Sequence, residues 1–454
     1  SPTLTVTDNP DVPFDAPALN PTKAEGDICV LNVENLFDHL NDGAGDWGDW
    51  APGYPTPGTA EGLAEYNAKL DAVASVMVNS MRSCQVIGVS EMEGKQAVYN
   101  ALAARVGMFD GAHTWSGIYV ESGDSRDISQ GFLYRNDVTL VSGPTPVSGG
   151  TFSSWVSDGT LDFVRVPAAA QFRFHAGEPQ QLDLRLYAVH FKSKRASASC
   201  TTPDCTDKRE KEAADMRDIL AHHQGAGEFA IALGDYNDTF GSTPIAILDA
   251  SAEIINLYYD LPERERWSYV FNGESEVLDH LYTTRNLLAA SSGWQHAFNP
   301  LHINADFPSN ERASDHDPLR LRLWLLSDAG DLPTSYGQAW HLQLPGSSLR
   351  LGSTWTDDDI FDPAFTTGSD DLSDDGVHFG AFTAGQTHPL TVTVEGTALA
   401  GRWLRAWFDW NNDGAFGAEE RVFDQAVTAG ENALALAVPT GVTQAVATRF
   451  RLYD

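Results

Sequence analysis

Lysine is scarce in this sequence of 454 residues: it has 7 lysines, and none lies beyond position 330. Acidic residues number 63 against 29 basic ones, and the formal net charge at pH 7 is −34. This negative net charge excludes a protein that binds polyanions over its whole surface. A local basic or metal-bearing cleft remains possible, because screening at physiological ionic strength acts over about 8 Å. Acidic, lysine-poor surfaces suit salty or calcium-rich surroundings outside the cell.

Long apolar runs are also missing. None approaches the roughly 20 residues that a membrane-spanning helix needs, so no membrane span is expected. The sequence begins at Ser1 with no basic segment and apolar stretch before it, and we expect a targeting segment to have been removed or left out. Global disorder is excluded, since 42% of the residues are hydrophobic and 12 are Trp. The length favours two domains.

Cysteine is rare, with four residues in all. Cys200 and Cys205 bracket a short polar turn, which predicts a local disulfide and hence an oxidising compartment. We therefore expect an extracellular or periplasmic protein.

Short apolar runs alternate with helical or loop stretches between positions 27 and 325. Their length and their Val, Ile, Leu and aromatic content predict strands at 28–33, 86–89, 131–134, 182–191, 229–233, 277–282 and 319–326. Apolar residues at three- and four-residue spacing predict amphipathic helices over 65–81 and 207–222. A boundary is predicted near 327–333, beyond which alternating apolar runs and turn residues indicate an all-β domain.

Polar residues with metal-binding or acid–base chemistry stand at the ends of the predicted strands. They are Asn32, Glu34, Glu91, His190, Asp235, Asn237, Asp279, Asp315 and His316. Strand ends that gather at one sheet edge would bring them together, and hard oxygen ligands suit Mg²⁺, Mn²⁺ or Ca²⁺ rather than zinc. Each residue alone also fits a solvated loop, a half-buried structural histidine or a tight turn. Their joint order favours a site.

The motifs that hold these residues resemble those of the endonuclease/exonuclease/phosphatase superfamily of metal-dependent phosphoesterases. They are LNVENLFD (31–38), VSEMEG (89–94), DSRDI followed by GFLY (124–134), VHFKSK (189–194), LGDYN (233–237), LDHLY (278–282) and SDHDP (314–318). The HFKSK and NVENLF forms of these motifs look most like those of secreted bacterial nucleases in that superfamily. The resemblance implies an α/β four-layer sandwich, two packed sheets flanked by helices, over 27–328. The Pro/Thr/Asp-rich composition before it predicts an N-terminal arm at 1–26.

Chemistry and resemblance together indicate a divalent cation, Mg²⁺ or Mn²⁺, at the sheet edge. Glu91 is the expected principal ligand, with Asn32 and Asp315 binding directly or through water. Such an ion neutralises the phosphate and stabilises charge on the leaving oxygen. Glu34 occupies a position where relatives carry an acidic residue near the metal.

The remaining catalytic candidates act on water and phosphate. Asp235 and Asn237 are expected to position and activate the attacking water. His190 and His316 are expected to face the phosphate, and Asp279 to hold His316 in the productive tautomer.

Arg126, Lys192 and Lys194 are the candidate substrate-binding residues. Arg126 belongs to the family's DxRxI segment, although Asp127 stands where the family often has Gly. The lysines open a basic stretch after His190, completed by Arg195, Lys208, Arg209 and Lys211. This stretch is interpreted either as a solvated loop and helix face or as a patch that tracks the phosphates of a polymer.

A long insertion at 38–62 contains Trp47, Trp50 and Tyr54. These rings either stack on nucleic-acid bases or pack within the loop. No motif that reads base edges is evident, so little base specificity is expected.

Three functions are compatible with these features. The first is a secreted, monomeric, metal-dependent nuclease that cleaves DNA or RNA with little sequence specificity. The second is a phosphodiesterase or phosphatase for small or lipid head-group esters, which suits the acidic surface. The third is a calcium-stabilised adhesion protein with an inactive enzyme domain, against which the complete set of catalytic candidates argues.

Cys29 and Cys84 are predicted not to pair. If Asn32 and Glu91 meet at one metal on parallel neighbouring strands, the two cysteines are offset by four residues, about 13 Å along a strand. A disulfide needs Cα atoms within roughly 7 Å. Only a bulge or bend would allow the bond.

The second domain, 329–454, contains the calcium-loop pattern D-x-N-x-D-G-x5-E. Its expected ligands are Asp409, Asn411, Asp413, Ala415 and Glu420, bound to a structural Ca²⁺. The flanks resemble strands rather than EF-hand helices, and a metal-free Asx-rich hairpin is the alternative. Segments 331–337, 374–380 and 408–416 resemble the GEVED-type β-sandwich module of secreted bacterial proteins. The resemblance implies stability or attachment to a cell surface or extracellular polymer.

Overall fold

The computed structural model describes residues 24–40, 58–309, 311–329, 332, 334–337, 339–353 and 376–453. Most of the predicted N-terminal arm lies outside these residues, as do Trp47, Trp50 and Tyr54. The chain divides into two compact units, mainly Gly26–Leu288 with His296–Leu323, and Ala289–Gln295 with Trp324–Asp454. Among the described helices, none has the length and apolar character required to cross a bilayer.

Two six-stranded sheets form the centre of the first unit. With elements numbered along the chain, one sheet comprises β1 (Gly26–Leu36), β2 (Val86–Glu93), β3 (Trp115–Val120), β4 (Ile128–Arg135), β13 (Trp294–Pro300) and β14 (Leu319–Leu325). The other comprises β5 (Thr139–Pro146), β6 (Ala168–Phe174), β7 (Leu182–His190), β8 (Ala230–Asp235), β9 (Ile254–Asn256) and β12 (Asp279–Thr284). Their spatial orders are β13-β14-β1-β2-β4-β3 and β5-β6-β7-β8-β12-β9. The central pairs, β1 with β2 and β7 with β8, are parallel.

The two sheets pack face to face, and helices cover their outer faces. Phe132 and Phe172 meet edge to face across the interface with ring centroids 5.4 Å apart. Gly88 permits the close approach, because a Cβ at this position would lie 2.6 Å from the side chain of Leu233. The predicted four-layer α/β sandwich is confirmed.

The helices are α1 (Ala60–Ser75), α2 (Gln96–Asp110), α3 (Thr206–Ala226), α4 (Thr243–Asp249) and α5 (Arg285–Leu288). The first two share an apolar core with the β1–β2 sheet, and the next two share one with the β7–β8 sheet. The chain continues from α1 through a π-helical turn at Val76–Ser80, so the helix predicted at 65–81 is present. A short hairpin, β10 (Tyr269–Phe271) and β11 (Glu274–Glu276), precedes β12.

The described part of the second unit is built from strands. They are β15 (Ser327–Ala329), β16 (Trp340–Leu342), β17 (Arg350–Leu351), β18 (Val377–Phe379), β19 (Thr387–Glu395), β20 (Trp403–Phe408), β21 (Arg421–Ala426), β22 (Gly430–Ala437) and β23 (Thr448–Tyr453). Strands β17, β18 and β22 pair with β19, and β21 and β23 flank β20. Alternate residues of both sheets, such as Val392 and Leu404, join one apolar core.

The prediction for Cys29 and Cys84 is wrong. The two are disulfide-bonded with Cα atoms 6.0 Å apart, and Cys200–Cys205 is bonded as predicted. Asn32 stands opposite Ser90 rather than Glu91, which shortens the assumed offset by one residue. Arg82 and Ser83 have φ of 56° and 53°, so the chain bends before β2 and Cys84 does not continue an extended strand.

Candidate functional site

Both β1 and β2 have an irregular backbone near their carboxyl ends, where the candidate site lies. The β1–β2 register shifts between Asn32 and Leu36, and Glu34 and Glu91 adopt left-handed φ of 53° and 60°. Left-handed non-glycine residues are costly and need support from their surroundings. Here they place polar side chains at the sheet edge where a regular strand would continue its alternation.

The ends of β1, β2, β7 and β8 meet at this edge. Asn32 donates from Nδ2 to Asp235 Oδ2 at 3.2 Å. His190 Nε2 lies 3.7 Å from Glu91 Oε1 and 3.5 Å from Asp235 Oδ2. His316 Nε2 lies 3.9 Å from the same Asp235 oxygen. The structure therefore brings together residues spread over nearly three hundred positions, as the sequence predicts.

Asp235 is a buried carboxylate at the centre of the cluster. Burial raises its pKa to about 7, and the charge of Asp279 acts in the same direction while that of His316 opposes it. Its Oδ1 accepts the backbone N–H of Asn237 at 2.7 Å. The Asn237 side chain donates from Nδ2 to the carbonyl of Phe191 at 3.0 Å, which leaves its amide oxygen as an acceptor. Asp235 is thus poised to exchange a proton near neutral pH.

His316 is fixed by a buried chain of hydrogen bonds. Its Nδ1 lies 2.7 Å from Asp279 Oδ2, and the same oxygen accepts from Ser268 Oγ at 2.8 Å. Ser268 Oγ in turn accepts the backbone N–H groups of Leu278 and Asp279. Burial lowers the pKa of His316, but the neighbouring carboxylates outweigh it and hold the pKa well above its usual value. The imidazolium form, with Nε2 facing the cluster, is therefore favoured.

His190 has the opposite environment. Burial, followed by the charges of Arg165 and Arg126, holds its pKa well below the usual value. Its Nδ1 has no hydrogen-bond partner among the described residues. The neutral tautomer with a proton on Nε2 costs least, and that proton faces Asp235 and Glu91. The two histidines of the site therefore differ in charge.

The oxygen-rich side of the site fits a hard divalent cation. Burial and the charge of Asp315 raise the pKa of Glu34; Glu91 adds to this, while Lys69 and Arg312 oppose it. Glu34 already lies 4.0 Å from the Lys69 ammonium and 3.6 Å from the Arg312 guanidinium, and a bound cation would further reduce the repulsion among these carboxylates. Among the described residues, no three His, Cys, Asp or Glu side chains converge tightly enough to chelate an ion alone. Mg²⁺ commonly keeps several waters and binds one or two carboxylates, which matches this donor set.

Arg165 is a member of this neighbourhood that sequence reasoning missed. Its Nε donates to Asp124 Oδ2 at 2.7 Å, and its Nη1 donates to the carbonyl of Phe191 at 2.5 Å. The other oxygen of Asp124 accepts the backbone and Nε of Arg126 at 2.8 and 3.3 Å. One buried guanidinium thus braces both Arg126 and, through Phe191, the amide of Asn237. Nothing in the sequence indicates that Arg165 pairs with Asp124, which lies 41 positions earlier in the chain.

The predicted basic stretch is not a continuous cationic face. The Lys192 ammonium donates to Ser193 and to the Arg195 carbonyl, and Lys194 pairs with Glu276 at 3.1 Å. Arg209 is buried against Asp238 at 2.7 Å. Both predicted substrate lysines therefore have partners within the chain. Burial lowers the pKa of His190 most, and the charges of Arg126 and Lys192 both lower it further.

The loop Asp409–Glu420 of the second unit lies between β20 and β21, as expected. Asp409 Oδ1 and Oδ2 accept the backbone N–H groups of Asp413 and Gly414 at 3.2 and 3.1 Å. Asn411 Nδ2 donates to Asp413 Oδ2 at 3.0 Å, and Asp413 Oδ1 accepts the Ala415 N–H. Glu420 turns back to accept from Asn411 N at 3.4 Å. The five predicted calcium-loop positions are therefore gathered by local hydrogen bonds.

Comparison with known proteins gives two family matches. A model of the endonuclease/exonuclease/phosphatase family matches residues 27–306, and a model of the GEVED domain matches residues 403–454. No curated protein gives a significant match.

The solved structures to which the chain is similar include three at low sequence identity. A family member from Bacteroides vulgatus is 14% identical, with 66% of this chain and 99% of that chain covered and a TM-score of 0.44. A mannosyl-6-phosphatase from Bacteroides thetaiotaomicron is 12% identical, with 66% and 99% covered and a TM-score of 0.41. A beta toxin from Staphylococcus aureus is 12% identical, with 65% and 98% covered and a TM-score of 0.37.

Proposed function

The chain belongs to the endonuclease/exonuclease/phosphatase family, and from that premise we propose that it is a secreted, divalent-metal-dependent nuclease that hydrolyses DNA phosphodiester bonds. Phosphoester hydrolysis is the activity of the family, and DNA as substrate, RNA being the nearest alternative, is the proposal. The observation that carries it is the convergence of Asn32, Glu91, His190, Asp235 and His316 at one sheet edge.

In this mechanism Asn32, Glu91 and Asp315 would hold Mg²⁺ or Mn²⁺, which neutralises phosphate charge and stabilises the leaving oxygen. Asp235 accepts a proton from the attacking water, for which a pKa of about 7 is well suited. The amide oxygen of Asn237 orients that water.

The two histidines and Arg126 bind the phosphate. The Nε2 atoms of His190 and His316 lie 3.5 Å or more from the neighbouring carboxylate oxygens, so both imidazoles can still donate a hydrogen bond to a phosphate oxygen. His316, kept protonated by Asp279, supplies positive charge where negative charge builds in the transition state. His190 supplies a neutral donor.

Tyr269 supports a nucleic-acid substrate. Its ring centroid lies 4.9 Å from that of His316, at the base of the β10–β11 hairpin. An aromatic ring beside the reacting phosphate is suited to stack on a base. The Cys29–Cys84 and Cys200–Cys205 disulfides support an extracellular or periplasmic location.

Hydrolysis assays on three substrates test the proposal. Plasmid DNA, bis(4-nitrophenyl) phosphate and sphingomyelin are incubated with the chain in Mg²⁺ or Mn²⁺, with and without EDTA. We expect EDTA-sensitive nicking of the plasmid. Turnover of the small or lipid ester with intact plasmid would replace the nuclease by a phosphodiesterase. No turnover of any substrate would favour an adhesion protein with an inactive enzyme domain.

For the second unit we propose that Asp409, Asn411, Asp413, Glu420 and the Ala415 carbonyl bind a structural Ca²⁺. Side-chain oxygens at positions 1, 3, 5 and 12 of the loop are the donors such a site needs. Calcium should raise the melting temperature of the wild type and leave that of Asp413→Ala unchanged. Glu431→Ala, an exposed substitution on β22, is the matched control. A wild type that melts equally in calcium and in EDTA would remove the calcium claim.

A further inference from the structure

The two sheets of the first unit meet in a layer of polar side chains at the end that carries the candidate site. Val89 and Leu133 pack into the outer core of one sheet, and Val189 and Ala232 pack into that of the other. Because side chains alternate along a strand, the residues between these outward positions point into the space between the sheets. The inward residues nearest the site, here called the polar layer, are Asn32, Ser90, Gln130, His190 and Asp235.

Strand register places the polar layer at one level of the sandwich. Asn32 is the register partner of Ser90 on the neighbouring strand. His190 and Asp235 are register partners in the other sheet. The hydrogen bond from Asn32 to Asp235 joins the two sheets at this level. Gln130 lies on β4 beside Ser90, because β4 pairs regularly with β2 up to the residue before Ser90.

Three members of the polar layer carry side-chain atoms without a hydrogen-bond partner in the described part of the chain. These atoms are Ser90 Oγ, the oxygen and the nitrogen of the Gln130 amide, and His190 Nδ1. Ser90 is 2% exposed, Gln130 0% and His190 1%. Unpaired polar groups are costly to bury, and a methionine would fill the volume of Gln130 without that cost. A hydrogen-bonding role therefore explains the Gln130 amide better than packing does.

We propose that Gln130 is a positioning residue for His190 and acts through a buried water molecule shared with Ser90, which rests on the phosphate-binding role proposed above for His190. A buried water makes about three hydrogen bonds to polar groups that have no other partner. Gln130 Nε2 donates to this water, which in turn donates to His190 Nδ1 and to Ser90 Oγ.

This arrangement fixes the tautomer of His190. A donor that faces Nδ1 keeps this nitrogen unprotonated, so the proton of the neutral imidazole stays on Nε2, on the side of the phosphate. His316 has the opposite partner, since the Asp279 carboxylate favours a proton on Nδ1. An amide and a carboxylate thus give the two histidines of the site different protonation.

Nuclear magnetic resonance measures the tautomer directly. Long-range proton–nitrogen correlations are recorded on the full, metal-free chain with isotope-labelled histidine, and His190→Ala identifies the signals of this residue. We expect the proton on Nε2 in the wild type and a mixture of tautomers in Gln130→Met. Gln171→Met, on β6 outside the polar layer, is the matched control and should leave the His190 signals unchanged. A wild type with the proton on Nδ1, or unchanged signals in Gln130→Met, would overturn the proposal.

Kinetics test whether Gln130 acts through His190. With a substrate that the wild type hydrolyses, Gln130→Met should lower kcat about tenfold with little change in KM, because the imidazole loses orientation. In a His190→Ala background the same change should cost less than about twofold. Equal losses in the two backgrounds would show that Gln130 acts elsewhere and would overturn the proposal.

Ser90→Ala is the second test variant, since it removes one partner of the water and little volume. Melting curves confirm that each variant folds. We expect the tautomer to change in the same direction as in Gln130→Met, with kcat lowered about threefold. A Ser90→Ala chain that matches the wild type in both measurements would refute the shared water. If no substrate is hydrolysed, the tautomer still tests the polar layer, and plasmid nicking still tests the nuclease if the tautomer is not as proposed.

Discussion

The candidate site of the first unit and the Asp409–Glu420 loop of the second are both rich in carboxylate oxygens, but they are built in opposite ways. The loop spans twelve consecutive positions. Backbone N–H groups of the loop itself bind Asp409 and Asp413, and one distant hydroxyl, that of Tyr336, donates to Asp409 Oδ2 at 2.7 Å. The site takes single residues from the ends of separate strands. Asp235, at its centre, has a raised pKa of about 7.

This difference shows what each arrangement needs from the rest of the fold. A contiguous loop holds its donors mainly through local hydrogen bonds, and here Tyr336 adds one distant contact, so its geometry depends on few distant residues. An assembled site depends on buried supports elsewhere in the chain, here Arg165, Ser268 and Glu212. The residues that hold the site should therefore be nearly as sensitive to substitution as those that form it.

The largest effect is expected for His316→Ala. This change removes the protonated imidazole that faces the cluster and leaves Asp279 without its partner, so DNA hydrolysis should fall about 10³-fold. Initial rates of plasmid nicking measure the loss. His222→Ala, at an exposed histidine stacked on Trp155, is the control and should retain activity. Unchanged nicking in His316→Ala would remove the imidazole from the mechanism.

Arg165→Met tests the first buried support. It removes the more buried of the two guanidinium groups that pair with Asp124, leaves the Arg126 pair, and takes a donor from the Phe191 carbonyl, so the free energy of unfolding should fall by about 3 kcal/mol. Urea denaturation measures this. Arg173→Met, which breaks an Arg–Asp pair about one-third exposed on β6 and β7, is the control and should cost no more than about 1 kcal/mol.

A positioning role for Arg165 also requires coupling to Arg126. Arg165→Lys keeps the charge but loses the forked geometry, and should lower kcat/KM about tenfold in the wild type. In an Arg126→Ala background the same change should cost much less, because the group it positions is gone. Additive losses would show that Arg165 acts on something other than Arg126.

The residues at the reaction centre were predictable because each lies where an apolar run stops or starts. Asn32, Glu91, His190 and Asp235 lie at or near the end of such a run, His316 stands just before the run that forms β14, and a sheet edge collects such points. Most strands of the two sheets were predicted from the same runs, and their arrangement as two packed sheets was implied by the family resemblance. Edge strand β5 was not predicted, since Thr139–Pro146 is largely exposed and has no apolar run.

The supports and the Cys29–Cys84 bond were not predictable for a different reason. Register depends on where strands bulge and bend, and the left-handed turn at Arg82 and Ser83 has no clear sequence mark. A buried Arg165 or Ser268 is recognisable only through its partner, and sequence does not show which distant carboxylate that is. Long-range polar pairing is thus what the sequence leaves undetermined.

Glu212 on α3 supports the site by binding the backbone next to Arg165 and next to Phe191, and the stability that it contributes depends on pH. Its carboxylate accepts the backbone N–H groups of Val164 and Lys192 at 2.9 and 2.8 Å. Burial raises its pKa to about 7, above an unfolded value near 4.5. The folded state therefore binds the extra proton between these values, and the stability that Glu212 contributes is complete below pH 4.5 and is lost as the pH rises through 7.

Urea denaturation at pH 5, 6, 7 and 8 compares the wild type with Glu212→Gln. The stability advantage of the wild type should shrink by up to about 1.4 kcal/mol per pH unit across this window. Glu263→Gln, at an exposed position, controls for the loss of charge. A difference that stays constant with pH would show that the folded and unfolded states ionise Glu212 alike.

Ser268→Ala should give an effect no larger than that of Arg165→Lys, and it separates support from chemistry most sharply. The change removes one donor to Asp279 and leaves the N–H groups of Leu278 and Asp279 unsatisfied, while His316 and Asp279 remain. We expect kcat to fall about tenfold with little change in KM, because the imidazole loses orientation rather than substrate contact. Ser275→Ala, at an exposed position in the same hairpin, should behave as wild type. If Ser268→Ala raised KM and left kcat unchanged, the hydroxyl would serve substrate binding, and the contrast between an assembled site held by distant residues and a loop that holds itself would lose its clearest example.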